Sequence, residues 1–265
     1  RRGLMNKNML IGYTGLVGST LMGQTSFGSL YNSKNISSIS DEIHDIVICS
    51  AAPAVKWFAN KDPELDRSNI QNLIGSLSKI NCKKLILIST VDVFKDPNFV
   101  DELSVVSKTD LHAYGLHRRE LEEAVIQLFD EPLIVRLPGL VGAGLKKNIL
   151  YDLVNETNLE NCNLGSIFQF YPLSRLWHDI ELCIKNNLAL VHLTSEPLSV
   201  LTIVQEVFPS LLCGLSEGNN NAVYDFRTIY GGLFSGSDCY QYAKEDALSE
   251  IMKYKQICLD IDGCN

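Results

Sequence analysis

The chain has 265 residues, 46% hydrophobic and 20% charged, which is ordinary globular composition and enough for one large domain or a domain with a lobe. A net charge of −8 argues against nonspecific binding to nucleic acid or an anionic membrane, because both need a basic face. No apolar run approaches the roughly 20 residues of a membrane span, and no signal peptide is read at the start, so a cytoplasmic location is expected by default.

The first predicted strand, Met9–Ile11, runs into the stretch LIGYTGLVGSTL, with Gly12, Gly15 and Gly18 three residues apart and a predicted helix over Leu16–Met22. In a strand–turn–helix, small residues let backbone N–H groups approach a phosphate at the helix N-terminus, where the helix dipole favours negative charge. The usual dinucleotide pattern is GxGxxG. Here Thr14 takes the middle position and the pattern is GxxGxxG, so two readings stay open: a phosphate cradle or a tight bend.

The second strand, Ser29–Asn32, ends in Tyr31-Asn32-Ser33-Lys34. An NAD site usually offers an acid there for the ribose 2′-hydroxyl. A lysine and a hydroxyl suit a 2′-phosphate instead, which favours NADP over NAD; the other reading is a polar loop.

Further strands are predicted over Ile46–Cys49, Leu85–Ser89, Leu133–Leu137 and Leu190–Leu193, with helices over Pro63–Ile80, Ala113–Phe129 and Asn148–Val154. The strands are nearly continuous apolar runs, as expected when both faces are covered. Their alternation with helices predicts βαβ units and a doubly wound, Rossmann-like parallel sheet of the α/β class. After Gly139 the rhythm loosens. Lys146–Glu156, Leu173–Asn186 and Ser199–Phe208 read as helices and Ile167–Tyr171 as a short strand, which suggests a small mixed C-terminal lobe. The division expected is a nucleotide-binding domain over 5–140 and a substrate lobe over 141–265, interleaved with the last sheet strands.

Thr90 closes the run ILIST at the carboxyl end of a strand, where open α/β sheets bind ligands. Tyr114, His117 and Arg118 stand at i, i+3 and i+4 and share one helical face. Glu120, Glu122 and Glu123 read as a solvated face of that helix. Trp57 reads as packing, and Phe168, Phe170, Tyr171, Arg175 and Trp177 as lobe core rather than pocket lining. The eight cysteines (Cys49, Cys82, Cys162, Cys183, Cys213, Cys239, Cys258 and Cys264) show no CxxC spacing, so buried free thiols and no metal site are expected.

Together these stretches resemble the extended short-chain dehydrogenase/reductases of the NAD-dependent epimerase/dehydratase kind, in particular the dTDP-4-dehydrorhamnose reductase type. GYTGLVG is similar to that family's phosphate loop, which implies cofactor contacts at Gly12, Thr14, Gly15, Leu16, Val17 and Gly18, with Asn32, Ser33 and Lys34 at the second strand's end. CSAAP is similar to the small-residue segment after the family's fourth strand, which implies Ser50, Ala51 and Ala52. RLPGLVGAG is similar to the segment passing the nicotinamide, which implies Pro138, Gly139 and Leu140. STVDVF and YGLHR place the catalytic Thr on Thr90 and the Tyr of YxxxK on Tyr114.

The resemblance implies an NADP-dependent oxidoreductase or epimerase, with NAD the alternative, acting on a sugar or nucleotide sugar. Tyr114 would be general acid or base while hydride moves to or from the nicotinamide. The lysine of YxxxK is replaced by Arg118, which keeps a cation one turn from Tyr114 to lower its pKa but is never deprotonated. That departure motivates a second reading, a non-catalytic NADP-binding sensor or interaction protein. His117, an imidazole beside Arg118, is a candidate to assist proton transfer. Asp92, Lys146 and Lys147 are weaker substrate candidates, the lysines for a diphosphate. Members of the family often form homodimers.

Overall fold

The computed structural model describes residues 6–39, 42–237 and 239–262. Met5, where the first domain was expected to begin, lies outside them, as do Cys264 and the end of the second domain. The chain forms two compact units that are discontinuous in sequence. The first comprises residues up to Asp96, Val105–Arg136 and Trp177–Val191, and the second Pro97–Ser104, Leu137–Leu176 and the chain from His192 onward.

In the first unit six strands form one sheet: β1 (Met9–Ile11), β2 (Ser29–Tyr31), β3 (Ile43–Cys49), β4 (Asn81–Thr90), β5 (Leu133–Leu137) and β6 (Leu190–His192). Their order is β6-β5-β4-β3-β1-β2. Pairing is parallel for β1 with β2 and β3, and for β3 with β4. Met9, Leu10 and Ile11 are fully buried, as are Val47, Ile48 and Cys49. These runs have no polar alternation because the sheet is covered on both faces.

The helices of this unit are α1 (Leu16–Gln24), α2 (Lys56–Lys61), α3 (Pro63–Leu77), α4 (Ala113–Leu128) and α5 (Leu176–Lys185). In α3, Ile70, Leu73 and Leu77 recur at helical spacing, and in α4 Leu121 and Val125 do so; both stripes pack on Met9, Val47, Leu85 and Ile134 of the sheet. Asp62 caps α3, accepting a hydrogen bond from the Leu65 amide, with Pro63 at the first helical position. His112 caps α4 through Nδ1, which accepts from the Gly115 amide.

In the second unit, short strands pair locally: Gly139–Val141 with Phe170–Pro172 in parallel, and Ile167–Phe168 with Leu198–Ser199 antiparallel. The expected strand over Ile167–Tyr171 is therefore two strands broken at Gln169. The buried Gln169 amide donates to the Thr194 hydroxyl and to the Ser195 and Phe226 carbonyls, and its oxygen accepts from the Phe226 amide. Phe170 and Tyr171 are core, while Arg175 is exposed. A helix over Lys244–Asp262, absent from the reading of the sequence, buries Ala247, Ile251 and Tyr254 at i, i+4 and i+7.

Among the described residues no helix is long and apolar enough to cross a membrane, and no cluster of His, Cys, Asp and Glu could hold a metal ion. The described cysteines are all free; Cys49, Cys162 and Cys183 are buried and Cys213 is exposed.

Candidate functional site

The glycine turn is fixed by close backbone approaches. Gly12 has φ +93°, and a Cβ there would sit 2.7 Å from the Ser50 carbonyl group and 2.8 Å from the Ala51 nitrogen. A Cβ on Gly18 would lie 2.1 Å from the Gly12 oxygen, so this glycine lets α1 press against the turn. Gly15 is different. It is the N-cap of α1 with no side-chain cap, it is exposed with Thr14, and the nearest atom to an added Cβ is 3.5 Å away. Leu16 and Val17 are half-buried. The fold therefore requires Gly12 and Gly18, whereas Gly15 leaves open space before the helix N-terminus.

Ser50 is tied to the same turn, with its amide and hydroxyl both donating to the Ile11 carbonyl. The segment Ser50–Ala52 follows the third strand in this chain, not a fourth. Beside it a cavity of about 400 Å³ is lined by Ser33, Ile36, Ala51, Pro53, Asn69 and Asn72, among others. Asn32 is half-buried and its side chain accepts from the Lys34 amide, which shapes the loop after β2; Lys34 itself is exposed. Glycine turn, small-residue segment and strand-end loop thus converge at the carboxyl ends of β1, β2 and β3.

Thr90 ends β4 and Tyr114 lies in the first turn of α4, and the Thr90 hydroxyl is among the groups that favour ionisation of the Tyr114 phenol. Gly115 allows the approach of α4, since a Cβ there would be 2.0 Å from the Asp92 oxygen. The Tyr114 amide donates to the Asn60 side chain at the end of α2. Asp92, a fifth exposed at its side chain, receives a hydrogen bond from Lys56 Nζ at 2.6 Å; His112 Nε2 is 4.0 Å from the same oxygen.

Arg118 is buried and its guanidinium stacks 4.0 Å from the centre of the Tyr114 ring. Its nitrogens donate to the Asp66 carboxylate on α3 and to the Pro53 carbonyl. Nε is a buried donor without a partner among the described residues. His117 is also buried, with Nδ1 2.7 Å from Asp66, so it is a packed residue of the α3–α4 interface.

Arg118 lowers the Tyr114 pKa as expected, but it does not set the net direction. Burial of the phenol dominates and raises it; Arg118 pulls down, Asp92 pushes up, and Lys56 and Thr90 pull down by less. Burial and the nearby cation Lys56 together lower the pKa of His112.

Two other expectations fail. Glu122 is not on a solvated face but fully buried, accepting from Ser89, from Arg119 and from Arg136 Nε and Nη2 at 2.6–2.9 Å. Trp57 is not packed but 68% exposed, edge-on to Phe58. Lys56, Asn60 and Asp66 escaped the sequence reading, since a two-turn helix gives no period and Asp66 looks like any first-turn acid. In the second unit Pro138 is buried and Leu140 half-buried, a Cβ on Gly139 would lie 2.6 Å from the Gln169 oxygen, and Lys146 and Lys147 are exposed before the helix Ile149–Asn155.

No protein-family model and no curated protein sequence matches the chain. Solved structures do. A dTDP-4-dehydrorhamnose reductase from Clostridium acetobutylicum aligns with a TM-score of 0.70 at 16% identity, over 95% of this chain and 99% of its own. A UDP-glucuronic acid 4-epimerase from Bacillus cereus, solved with a fluorinated UDP-sugar and NAD, aligns at 0.68 and 16%, over 95% and 99%. RMD from Pseudomonas aeruginosa, solved with NADPH, aligns at 0.67 and 13%, over 94% and 98%. These neighbours are extended short-chain dehydrogenase/reductase-type enzymes. The chain has their fold.

Proposed function

We propose that the protein is an NAD(P)-dependent oxidoreductase or epimerase acting on a sugar or nucleotide sugar. The single observation that carries this reading is the Thr90–Tyr114 pair at the carboxyl end of β4, on the same sheet edge as the glycine turn. Three features fit a dinucleotide: the open space at Gly15 before an uncapped helix N-terminus, the cavity between Ser33 and Asn72, and the unpartnered Arg118 Nε. The neighbours solved with NAD or NADPH add support from the fold.

When bound, the nicotinamide would supply or accept the hydride. Thr90 would hydrogen-bond the reacting oxygen of the substrate and fix its position. Tyr114 would hold the mobile proton on its hydroxyl, giving it up in reduction and taking it in oxidation. Arg118 would hold Tyr114 in place by stacking, with its Nε the donor left for a ribose hydroxyl. Lys34 would select the 2′-phosphate of NADP.

Calorimetric titration with NADPH and NADH tests the binding half of the reading. Micromolar affinity with NADPH preferred is expected, and Lys34→Ala should weaken NADPH more than NADH; no binding of either cofactor defeats the proposal. For the chemical half, Tyr114→Phe should lower turnover of a keto sugar nucleotide by roughly 10²–10⁴-fold while cofactor affinity is kept. A second reading, a cofactor-binding protein without turnover, is favoured by the engagement of Arg118 with Asp66 and Pro53. Binding of NADPH with no turnover on any keto sugar nucleotide would select it.

A further inference from the structure

Two cations serve the Tyr114 neighbourhood, and their partners separate their roles. Arg118, on the helix of Tyr114 itself, is bound to the buried Asp66 carboxylate of α3 and to a backbone carbonyl. It is a fixed charge, never deprotonated, already balanced by an acid in contact. Lys56, on α2, is 42% exposed and bound to Asp92 at 2.6 Å. Asp92 Oδ2 lies 3.4 Å from the Thr90 hydroxyl, and Thr90 in turn favours the ionised form of Tyr114. Among the described residues His112, just before α4, also faces this cluster, 4.0 Å from Asp92.

The Asp92 carboxylate works against a phenolate at Tyr114, and in a site where Tyr114 is nine-tenths buried that opposition is poorly screened. Among the described residues, Lys56 is the cation that pairs with Asp92.

We propose that Lys56 is a positioning residue for the acid–base chemistry: its ammonium neutralises Asp92 and so lets Tyr114 carry negative charge during turnover. The inference rests on the reading of Tyr114 as the proton-transfer group, and it leaves Arg118, the larger downward pull on Tyr114, as the fixed charge that also ties α4 to Asp66 of α3. Without Lys56, Asp92 stands uncompensated beside Thr90 and holds the phenol proton more tightly.

The test begins without cofactor. Tyr114 is replaced by 3-fluorotyrosine, and its ¹⁹F shift is titrated against pH in the otherwise native chain and in Lys56→Met, Lys56→Arg and Asp92→Asn. The expected midpoint moves up in Lys56→Met, stays near the native value in Lys56→Arg, and moves down in Asp92→Asn. An unmoved midpoint in Lys56→Met overturns the proposal. Lys56 is partly exposed, so its variants should fold, and unchanged circular dichroism confirms it.

With substrate, Lys56→Met should shift the ionising limb of the pH–rate profile to higher pH and reduce neutral-pH kcat about tenfold, with KM for the cofactor unchanged and Lys56→Arg restoring the rate. A native pH–rate profile in Lys56→Met also overturns it. Absence of nicotinamide binding in the native protein instead defeats the functional reading, and the fluorine titration then still reports on the charge relation by itself.

Discussion

Two buried charge clusters sit on one helix, and they differ in how completely they are satisfied. Further along α4, Glu122 accepts from Ser89 of β4, from Nε and Nη2 of Arg136 on β5 and from Arg119. Each Glu122 carboxylate oxygen has two donors and the group is fully buried, although Arg119 Nε makes no hydrogen bond among the described residues, only a 3.3 Å ion pair with Glu123. At the start of α4, Asp66 holds His117 and Arg118, but Arg118 Nε has no partner among the described residues, Tyr114 is poised against Thr90, and Lys56 reaches solvent. A closed network rigidifies a fold; a network with loose donors beside a sheet edge has capacity left for a ligand. The same helix therefore does structural work in its middle and presents the candidate chemistry at its N-terminus.

The largest effect should come from opening the closed cluster. Glu122→Ala leaves Arg136 buried without its counter-ion and should destabilise the fold by about 3–5 kcal/mol in denaturant unfolding. A change under about 1 kcal/mol would show that Glu122 is not the structural member of the comparison. A smaller loss is expected at the other cluster, because Asp66 keeps His117 when Arg118 is removed. Arg118→Met should cost about 1–3 kcal/mol by the same measurement. If it costs as much as Glu122→Ala, the distinction between the two clusters fails.

The contrast repeats in the glycine turn, where Gly15 carries the smallest stability effect. Gly18→Ala forces a Cβ to 2.1 Å from a backbone oxygen and should cost about 1–3 kcal/mol. Gly15→Ala meets nothing closer than 3.5 Å and should change stability by no more than about 0.5 kcal/mol. On the proposed function it should nevertheless weaken NADPH roughly tenfold or more, about 1.4 kcal/mol, because the methyl enters the space for the phosphates. Unchanged affinity would reduce the stretch to a tight bend.

Much of the fold was legible because the signals are local. Met9–Ile11 and Leu133–Leu137 are strands with the bounds their apolar runs suggest, and Ala113 opens α4 as expected. The Lys244–Asp262 helix was legible and missed: Ala247, Ile251 and Tyr254 carry the period beneath a charged surface pattern. Lys56–Lys61 is too short for any period to appear. Glu122 was misread because its neighbours in sequence are acids, while the groups that bury it are 14 and 33 residues away in the chain.

The sequence by itself determined the glycine spacing, the strand–helix alternation and the placement of Thr90 and Tyr114 at element ends, since each depends on backbone geometry within a few residues. Only the tertiary structure decided which charge meets which. Arg118 pairs with an acid 52 residues away and Lys56 with one 36 residues away. Residue type gives a side chain its charge, but packing of α2, α3 and α4 against the sheet fixes its partner and its burial, and these set whether it serves the fold or the site.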